Sequence, residues 1–275
     1  MRYSDTHLDW LCELMAEAAD KEIMPRFRRL SANEVREKTS AQDVVTDADV
    51  NAERYMTGLL RKRYPEALIV GEEAHAENES VLDGLADAPL AFVIDPVDGT
   101  FNFAAGVQPF GVMLAVVLNG ETVAGIIYDP IGRDWAIATK GGGSRLRGAQ
   151  GETTINVAKA GPLADMIGNV GWQYMSEPAR SILARNASKV AGTFSYKCAA
   201  QEYRLLATGY GHFAVYNKLM PWDHLPGLLI HAEAGGYSAR FDGSAYVPGH
   251  IEGGLLVAPD ENAWQALRRE LWADQ

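Results

Sequence analysis

Cysteine is scarce in this sequence: Cys12 and Cys198 are the only two in 275 residues, and no CxxC pair occurs. That excludes a disulfide framework and suits a reducing compartment. Basic residues are also in deficit, 25 Lys and Arg against 36 Asp and Glu, for a net charge of −11. Nucleic acid and anionic membranes both need a basic face, so neither is expected as the main partner. An anionic substrate stays open if metal ions supply local positive charge. No apolar run approaches the roughly 18 residues that span a bilayer. The opening stretch MRYSDTHLDWLCELMAEAAD carries Asp and Glu throughout and has no continuous apolar core, so it does not read as a signal peptide. A cytoplasmic location is expected. Internal repeats, low-complexity tracts and Pro- or Ser-rich linkers are absent too.

What is present is an ordinary globular composition, 47% hydrophobic and 22% charged, in a chain long enough for one large domain or two modest ones. Residues 7 to 24 place Leu8, Leu11, Leu14, Met15, Ala18 and Ala19 at helical spacing. A polar loop or hairpin over 34–49 follows, then a helix after Asp49 that ends near Pro65. ALIV (67–70) and LAFVI (90–94) read as short buried strands that run straight into Glu72 and Asp95. Beyond residue 110, two β-rich runs meet at Asn119-Gly120, a tight-hairpin signal, and WAIATKGGGSRLRG extends them into a meander. The second half reads strand (166–170), helix (177–190), helix (198–208), strand (212–216), helix (223–234) and a tail helix with Trp264, Leu267 and Leu271 on one face. The expected architecture is layered α and β in two halves, 1–155 and 156–275. The first half holds most of the candidate ligands, and the second holds Asp223 and the residues that read the substrate.

Carboxylates cluster where these elements end. Glu72 and Glu73 follow a strand, Asp95 and Asp98 follow another, Asp223 sits in MPWDHLPG, and Asp49 precedes a helix. Hard cations such as Mg²⁺ take carboxylates, carbonyls and water as ligands. Pro96 fixes its own φ and disfavours helix at Asp95, so a tight bend can turn both carboxylates and the Val97 carbonyl toward one point. Gly99 and Thr100 then open a short helix whose free N–H groups suit an anion. Each element also has an ordinary explanation. Asp98 can be a turn or helix cap, the Glu pair a solvated loop, and Asp223 a cap of its own helix. Their occurrence together, each at a junction, favours a cation site.

Three stretches, VGEEAH, DPVDGTFNF and PWDHLPGLLIHAEAGG, resemble the signatures of the inositol monophosphatase family, and the likeness runs over nearly the whole chain, including KTSAQDVVTDAD and LLATGYGHFAVY. It implies an α+β fold layered as a five-layer αβαβα sandwich of the sugar-phosphatase type, usually a homodimer. It also implies Mg²⁺-dependent, lithium-sensitive-type hydrolysis of a small phosphomonoester. By this resemblance Glu72, Asp95 and the Val97 carbonyl hold one Mg²⁺, and Asp95, Asp98 and Asp223 hold a second. Glu72 serves a weaker third ion through water and counts among the catalytic residues. Thr100, paired with Asp49, orients and deprotonates the attacking water. The backbone N–H groups of Gly99 and Thr100 hold phosphate oxygens. Lys38 and Glu73 belong to the loop near the metals. The substrate-binding set is Asp98, Gly99, Thr100, Lys197, Ala199, Tyr216 and Asp223.

Departures bear on the substrate. Tyr216 stands where inositol-specific members have a Glu seven residues before the WD aspartate, and Lys197-Cys198-Ala199 replaces Gly-Ser/Thr-Ala. Lys197 is either a surface lysine or a cation for a second substrate anion. Fructose-1,6-bisphosphate, 3′-phosphoadenosine 5′-phosphate and histidinol phosphate stand as alternative substrates. Leu225-Pro226 after the aspartate replaces smaller residues. Cys198 has no expected chemical role, His224 reads as structural, and His75 as a surface residue. Two rival readings differ in kind. One is a haloacid-dehalogenase-type phosphatase, whose Asp-x-Asp spacing does not match Asp95-x-x-Asp98. The other is a non-catalytic partner-binding protein, disfavoured because every expected ligand is present.

Overall fold

A computed structural model describes residues 5–40 and 43–273; Ala41 and Gln42, inside the KTSAQDVVTDAD stretch, lie outside the described residues. In chain order the elements are α1 (Asp5–Ala18), β1 (Val35–Ser40), β2 (Asp43–Thr46), α2 (Asp47–Arg63), β3 (Leu68–Gly71), α3 (Glu72–Glu77), β4 (Ala91–Asp98) and α4 (Thr100–Ala104). An antiparallel run follows: β5 (Gly111–Leu118), β6 (Glu121–Asp129), β7 (Asp134–Thr139), β8 (Gly143–Gly148) and β9 (Gly151–Thr154). The remainder comprises β10 (Ile167–Val170), α5 (Ala179–Asn186), β11 (Gly192–Phe194), α6 (Ala199–Ala207), β12 (Phe213–Tyr216), α7 (Pro221–Glu233), β13 (Tyr237–Arg240), β14 (Leu255–Ala258) and α8 (Glu261–Leu271).

Strands β3 to β9 form one sheet in sequence order, parallel between β3 and β4 and antiparallel thereafter. The second sheet has the order β11-β10-β12-β14-β13. Side-chain alternation along the strands sorts residues between layers. Phe92, Ile94, Val112, Leu114 and Val116 of the larger sheet pack with Leu8, Leu11 and Met15 of α1 and Ala52, Met56 and Leu60 of α2. The opposite face carries Met113, Ile127 and Ala136, packed with Tyr203 of α6, Ile230 of α7, and Ala214 and Val257 of the second sheet. Beyond that sheet, Phe213 and Leu256 meet Leu183 of α5 and Trp264, Leu267 and Leu271 of α8. The result is helices, sheet, helices, sheet, helices: the expected αβαβα sandwich.

Two local features differ from the sequence expectation. The first helix is regular only to Ala18 and continues as a wider π turn through Ile23. Strand β4 does not stop at Ile94 but runs on to Asp98, because its ladder to β5 shifts register between Asp95 and Asp98. That irregularity is the bend expected of Pro96, absorbed into a strand as a bulge. The Asn119-Gly120 hairpin is formed as expected, with both residues at positive φ (48° and 76°).

Helix α7 lies close on β6 because the strand has no side chain at the crossing: a Cβ at Gly125 would run into the Pro226 backbone. Gly227 serves the contact of α7 with α6, where a Cβ would run into the Tyr203 ring. Pro226 sits inside the helix without an N–H to give. Gly125→Ala is therefore expected to lower unfolding stability by about 1–3 kcal/mol through overpacking, read as a lower urea midpoint with an unchanged m-value.

Candidate active site

The parallel pairing of β3 and β4, with Gly71 opposite Ile94, delivers the carboxyl ends of both strands to the same edge. Glu72 and Glu73 begin α3 at that edge, and Asp95 and Asp98 end β4 there. Helix α7 presents Asp223 from its first turn. One carboxylate oxygen from each of Asp95, Asp98 and Asp223 lies within 4.8 Å of the others; the two β4 residues are buried and Asp223 is half-buried. Among the described residues these carboxylates line one cleft with Glu72, Val97, Gly99, Thr100 and Lys197.

Burial first, and then repulsion among these groups, holds their carboxyls up. Asp95 is raised well above the usual range, with Glu72, Asp98 and Asp223 as its charged neighbours. Asp223 is pushed up to about 8 by burial and by Asp98 and Glu72. Asp98 rises to about 6, less because the Ala200 N–H (2.5 Å) and the Cys198 thiol (3.1 Å) donate to its Oδ2. Asp98 does act as a cap, but of α6, about a hundred residues away; α4 starts at Gly99 in the left-handed region (φ 87°) with no side-chain cap.

Thr100 and Asp49 are brought together. Thr100 Oγ1 lies 2.9 Å from Asp49 Oδ1 and 2.9 Å from the Val97 carbonyl. Asp49 is fully buried in the first turn of α2, where Thr46 donates to its Oδ2 from backbone N–H (2.9 Å) and hydroxyl (2.5 Å). Burial raises Asp49 to about 6 against those hydrogen bonds. The same carboxylate thus completes a capping box and holds the threonine.

Glu72 lines the cleft but stands apart from the three-aspartate group. Its Oε1 takes a hydrogen bond from Lys38 Nζ at 2.9 Å, and Glu73 takes another at 2.8 Å. Desolvation pulls the Lys38 ammonium down, yet Glu72 and Glu73 together outweigh it and hold the charge in place. Glu73 is a buried residue, pushed up to about 8 by burial and by Glu72. Tyr216 and Ala199 face a neighbouring pocket rather than the cleft, while Lys197, Asp98 and Asp223 line both. His224 has both ring nitrogens engaged, Nδ1 with the Tyr203 hydroxyl (3.0 Å) and Nε2 with the Lys218 carbonyl (2.9 Å), and burial pulls it down to about 4. His75 is half-buried against the Trp222 ring (5.1 Å) rather than on the surface.

Two acidic residues escape a motif reading. Glu53 accepts the N–H groups of Glu73 and Ala74, each at 2.8 Å, and so pins the start of α3. The signal was its place on the inner face of α2, between Ala52 and Met56. Glu202 on α6 accepts from Asn169 Nδ2 (2.8 Å) and Tyr196 N–H (2.9 Å) and is pushed up to about 8, mainly by burial.

A layered α+β protein with an all-oxygen acidic cleft at the carboxyl ends of parallel strands is thereby defined. Residues 5–274 match the inositol monophosphatase family, and the chain belongs to it. It is 32% identical over 262 residues to Nus factor SuhB of Pseudomonas aeruginosa, covering 92% of this chain and 91% of that one. It is 31% identical over 209 residues to fructose-1,6-bisphosphatase/inositol-1-monophosphatase of Thermotoga maritima, covering 76% of each. Among solved structures, Thermotoga maritima IMPase superposes with a TM-score of 0.79 at 25% identity over 97% of this chain and 98% of that one. Staphylococcus aureus inositol monophosphatase-II gives 0.82 at 20% identity over 98% and 94%, a likeness of fold.

The raised carboxyls carry a sign. Asp98 and Asp223 are raised to about 6 and about 8 in the fold, above the 3.8 of an ordinary aspartate. The folded state therefore holds more protons than the unfolded chain across that window, and without metal its stability falls as pH rises through it. In EDTA, the unfolding midpoint should drop between pH 5 and pH 8 on this reckoning. Asp223→Asn should raise the pH 8 midpoint by about 2–4 °C for each kcal/mol of repulsion relieved.

Proposed function

We propose that this protein is a Mg²⁺-dependent phosphoric monoester hydrolase that releases phosphate from a small phosphorylated alcohol, of the inositol 1-phosphate type. The observation that carries the reading is the convergence of Asp95, Asp98 and Asp223 within 4.8 Å, beside the Thr100–Asp49 pair. The donor set fits the ion. It is all oxygen, as a hard divalent cation prefers, and its carboxyls are held up first by burial and then by mutual repulsion that such a cation relieves. Glu72, Asp95 and the Val97 carbonyl would hold one ion and Asp95, Asp98 and Asp223 another. When bound, the ions supply charge neutralisation for the phosphoryl group and a lowered pKa for water.

The chain's own residues do the rest. Asp49 accepts the Thr100 hydroxyl, which leaves a lone pair of Thr100 Oγ1 to take a proton from water in the cleft; Asp49 Oδ1 can then receive the hydroxyl proton. Phosphate oxygens would be met by the N–H groups of Gly99 and Thr100, which have no intrahelical acceptor at the start of α4. Residues 1–155 would supply all of this machinery except Asp223, and residues 156–275 the pocket for the alcohol. Fructose-1,6-bisphosphate, 3′-phosphoadenosine 5′-phosphate and histidinol phosphate are alternative substrates for the same chemistry. The cytoplasmic location and the homodimer belong to this proposal; both cysteines are free thiols, and no described helix is long and apolar enough to cross a membrane. A partner-binding role, suggested by relatives named Nus factor SuhB, would not account for the intact acidic set.

With Mg²⁺ present, Asp98→Asn and Asp223→Asn should each lower kcat/KM for phosphate release by about 10³-fold or more, since several kcal/mol of charge stabilisation are lost. Thr100→Ala should cost about 10²–10⁴-fold in kcat. Circular dichroism should show the native fold in all three. Undiminished hydrolysis, or a phospho-aspartyl adduct trapped on Asp95, would contradict the mechanism.

A further inference from the structure

Asp98 Oδ2 is held by the segment that leads into α6, where it takes the Ala200 N–H and the Cys198 thiol. The course of residues 196–200 therefore decides how that carboxylate sits. Three side chains fix the course, and none of them belongs to the acidic set. Asn102 of α4 is buried and donates from Nδ2 to the Tyr196 carbonyl (2.6 Å) and the Pro109 carbonyl (2.7 Å). Glu202, in the first turn of α6, reaches back to the Tyr196 N–H (2.9 Å), and its other oxygen takes Asn169 Nδ2 of β10 (2.8 Å). Gln201 Nε2 donates to the Phe110 carbonyl (3.0 Å). The Tyr196 residue is thus gripped at its carbonyl by α4 and at its N–H by α6.

Packing around the segment leaves little room for it to shift. Gly99 has φ of 87°, and a Cβ there would meet the Pro109 carbonyl oxygen at 2.7 Å and the Cys198 Cβ at 3.1 Å. A Cβ at Gly111, which pairs with Asp98 across the ladder, would meet the Ala200 Cβ at 2.8 Å. Between the two anchored ends, Lys197 turns the chain with φ of 50°, a left-handed conformation that a residue with a side chain disfavours. Such a turn persists where its surroundings determine it. Here the Tyr196 grip stands on one side and the Cys198 contact with Asp98 on the other. Asn102 suits the task because one amide nitrogen carries two hydrogens, enough to join two carbonyls that lie far apart in sequence.

We infer that Asn102 and Glu202 are positioning residues for the acidic cleft. They hold the Tyr196–Ala200 segment so that its N–H and thiol meet Asp98 Oδ2 and fix the orientation of that carboxylate toward a cation. Neither is among the described residues that line the cleft, so both act through Asp98. The inference rests on the metal-dependent reading above for the ion that Asp98 serves. Asn102 also belongs to the same short helix as Thr100, so one amide ties the start of α4 to the segment that holds Asp98.

The test reads binding of Mn²⁺ alone to the full chain, from the electron paramagnetic resonance signal of the free ion, and needs no turnover. Asn102→Ala should weaken Mn²⁺ binding by about tenfold. Glu202→Gln keeps the side-chain volume but offers one acceptor oxygen where the carboxylate offers two, and should weaken it by a smaller factor. A double-mutant cycle separates positioning from general loosening. In an Asp98→Asn background, Asn102→Ala should change the affinity by less than about twofold, because the ligand it positions is gone. In an Asp223→Asn background it should still cost roughly tenfold. Equal losses in the two backgrounds, or Mn²⁺ binding unmoved by both Asn102→Ala and Glu202→Gln, would overturn the inference. If Asn102→Ala does not fold, the same cycle run with Glu202→Gln decides it. A wild type that binds Mn²⁺ yet hydrolyses no phosphomonoester would sink the phosphatase reading and leave this test in force; a wild type that binds no Mn²⁺ overturns both.

Discussion

The structure turns on an electrostatic constraint: Asp95, Asp98 and Asp223 are held with carboxylate oxygens within 4.8 Å of one another, two of them buried. Like charges at that spacing out of water repel strongly, and this repulsion adds to burial in raising the carboxyls. No packing advantage explains such a cluster. Its cost must be carried by the fold, and the surrounding hydrogen bonds show how.

Each member is fastened through a different layer of the sandwich. Asp95 and Asp98 come from the bulged end of β4, whose other residues lie wholly in the core. Asp98 is stabilised by the N–H of Ala200 at the start of α6, and α7, seated on Gly125 of β6, brings in Asp223. Glu53 pins α3, and Lys38 holds Glu72 and Glu73 with one ammonium. That last contact has a functional consequence. Glu72 occupies the edge of the cleft with one carboxylate oxygen, Oε1, on Lys38, so the lysine shares the side chain that the proposed mechanism gives to a metal ion.

Much of this was legible in the sequence because the informative signals are local. LAFVI followed by DPVDGT marks a buried strand leading into carboxylates, which the fold shows with the strand running on to Asp98, and Asn119-Gly120 marks the β5–β6 hairpin, which formed as read. The five layers followed from the family resemblance, since periodicity alone shows strands and helices but not how they stack. What escaped depends on contacts distant in sequence. That Asp98 caps α6 could not be seen from residues 98 to 100. Glu53 looked like one more acidic residue on α2 until its carboxylate met α3. His75 read as exposed because Trp222, its partner, lies far along the chain. The strands β11, β13 and β14, three or four residues each, were not marked in the sequence. Tyr216 was placed with the substrate-binding residues, and it does line the second pocket, with its ring stacked on Tyr203 at 5.5 Å.

The two-metal assignment is tested most directly by crystals grown with Mn²⁺ in place of Mg²⁺ and measured for anomalous scattering. Two peaks are expected, about 3.5–4 Å apart. One should lie against Asp95, Asp98 and Asp223, and the other against Asp95, the Val97 carbonyl and Glu72. A cleft with no peak, or with a single ion on other ligands, would contradict the assignment.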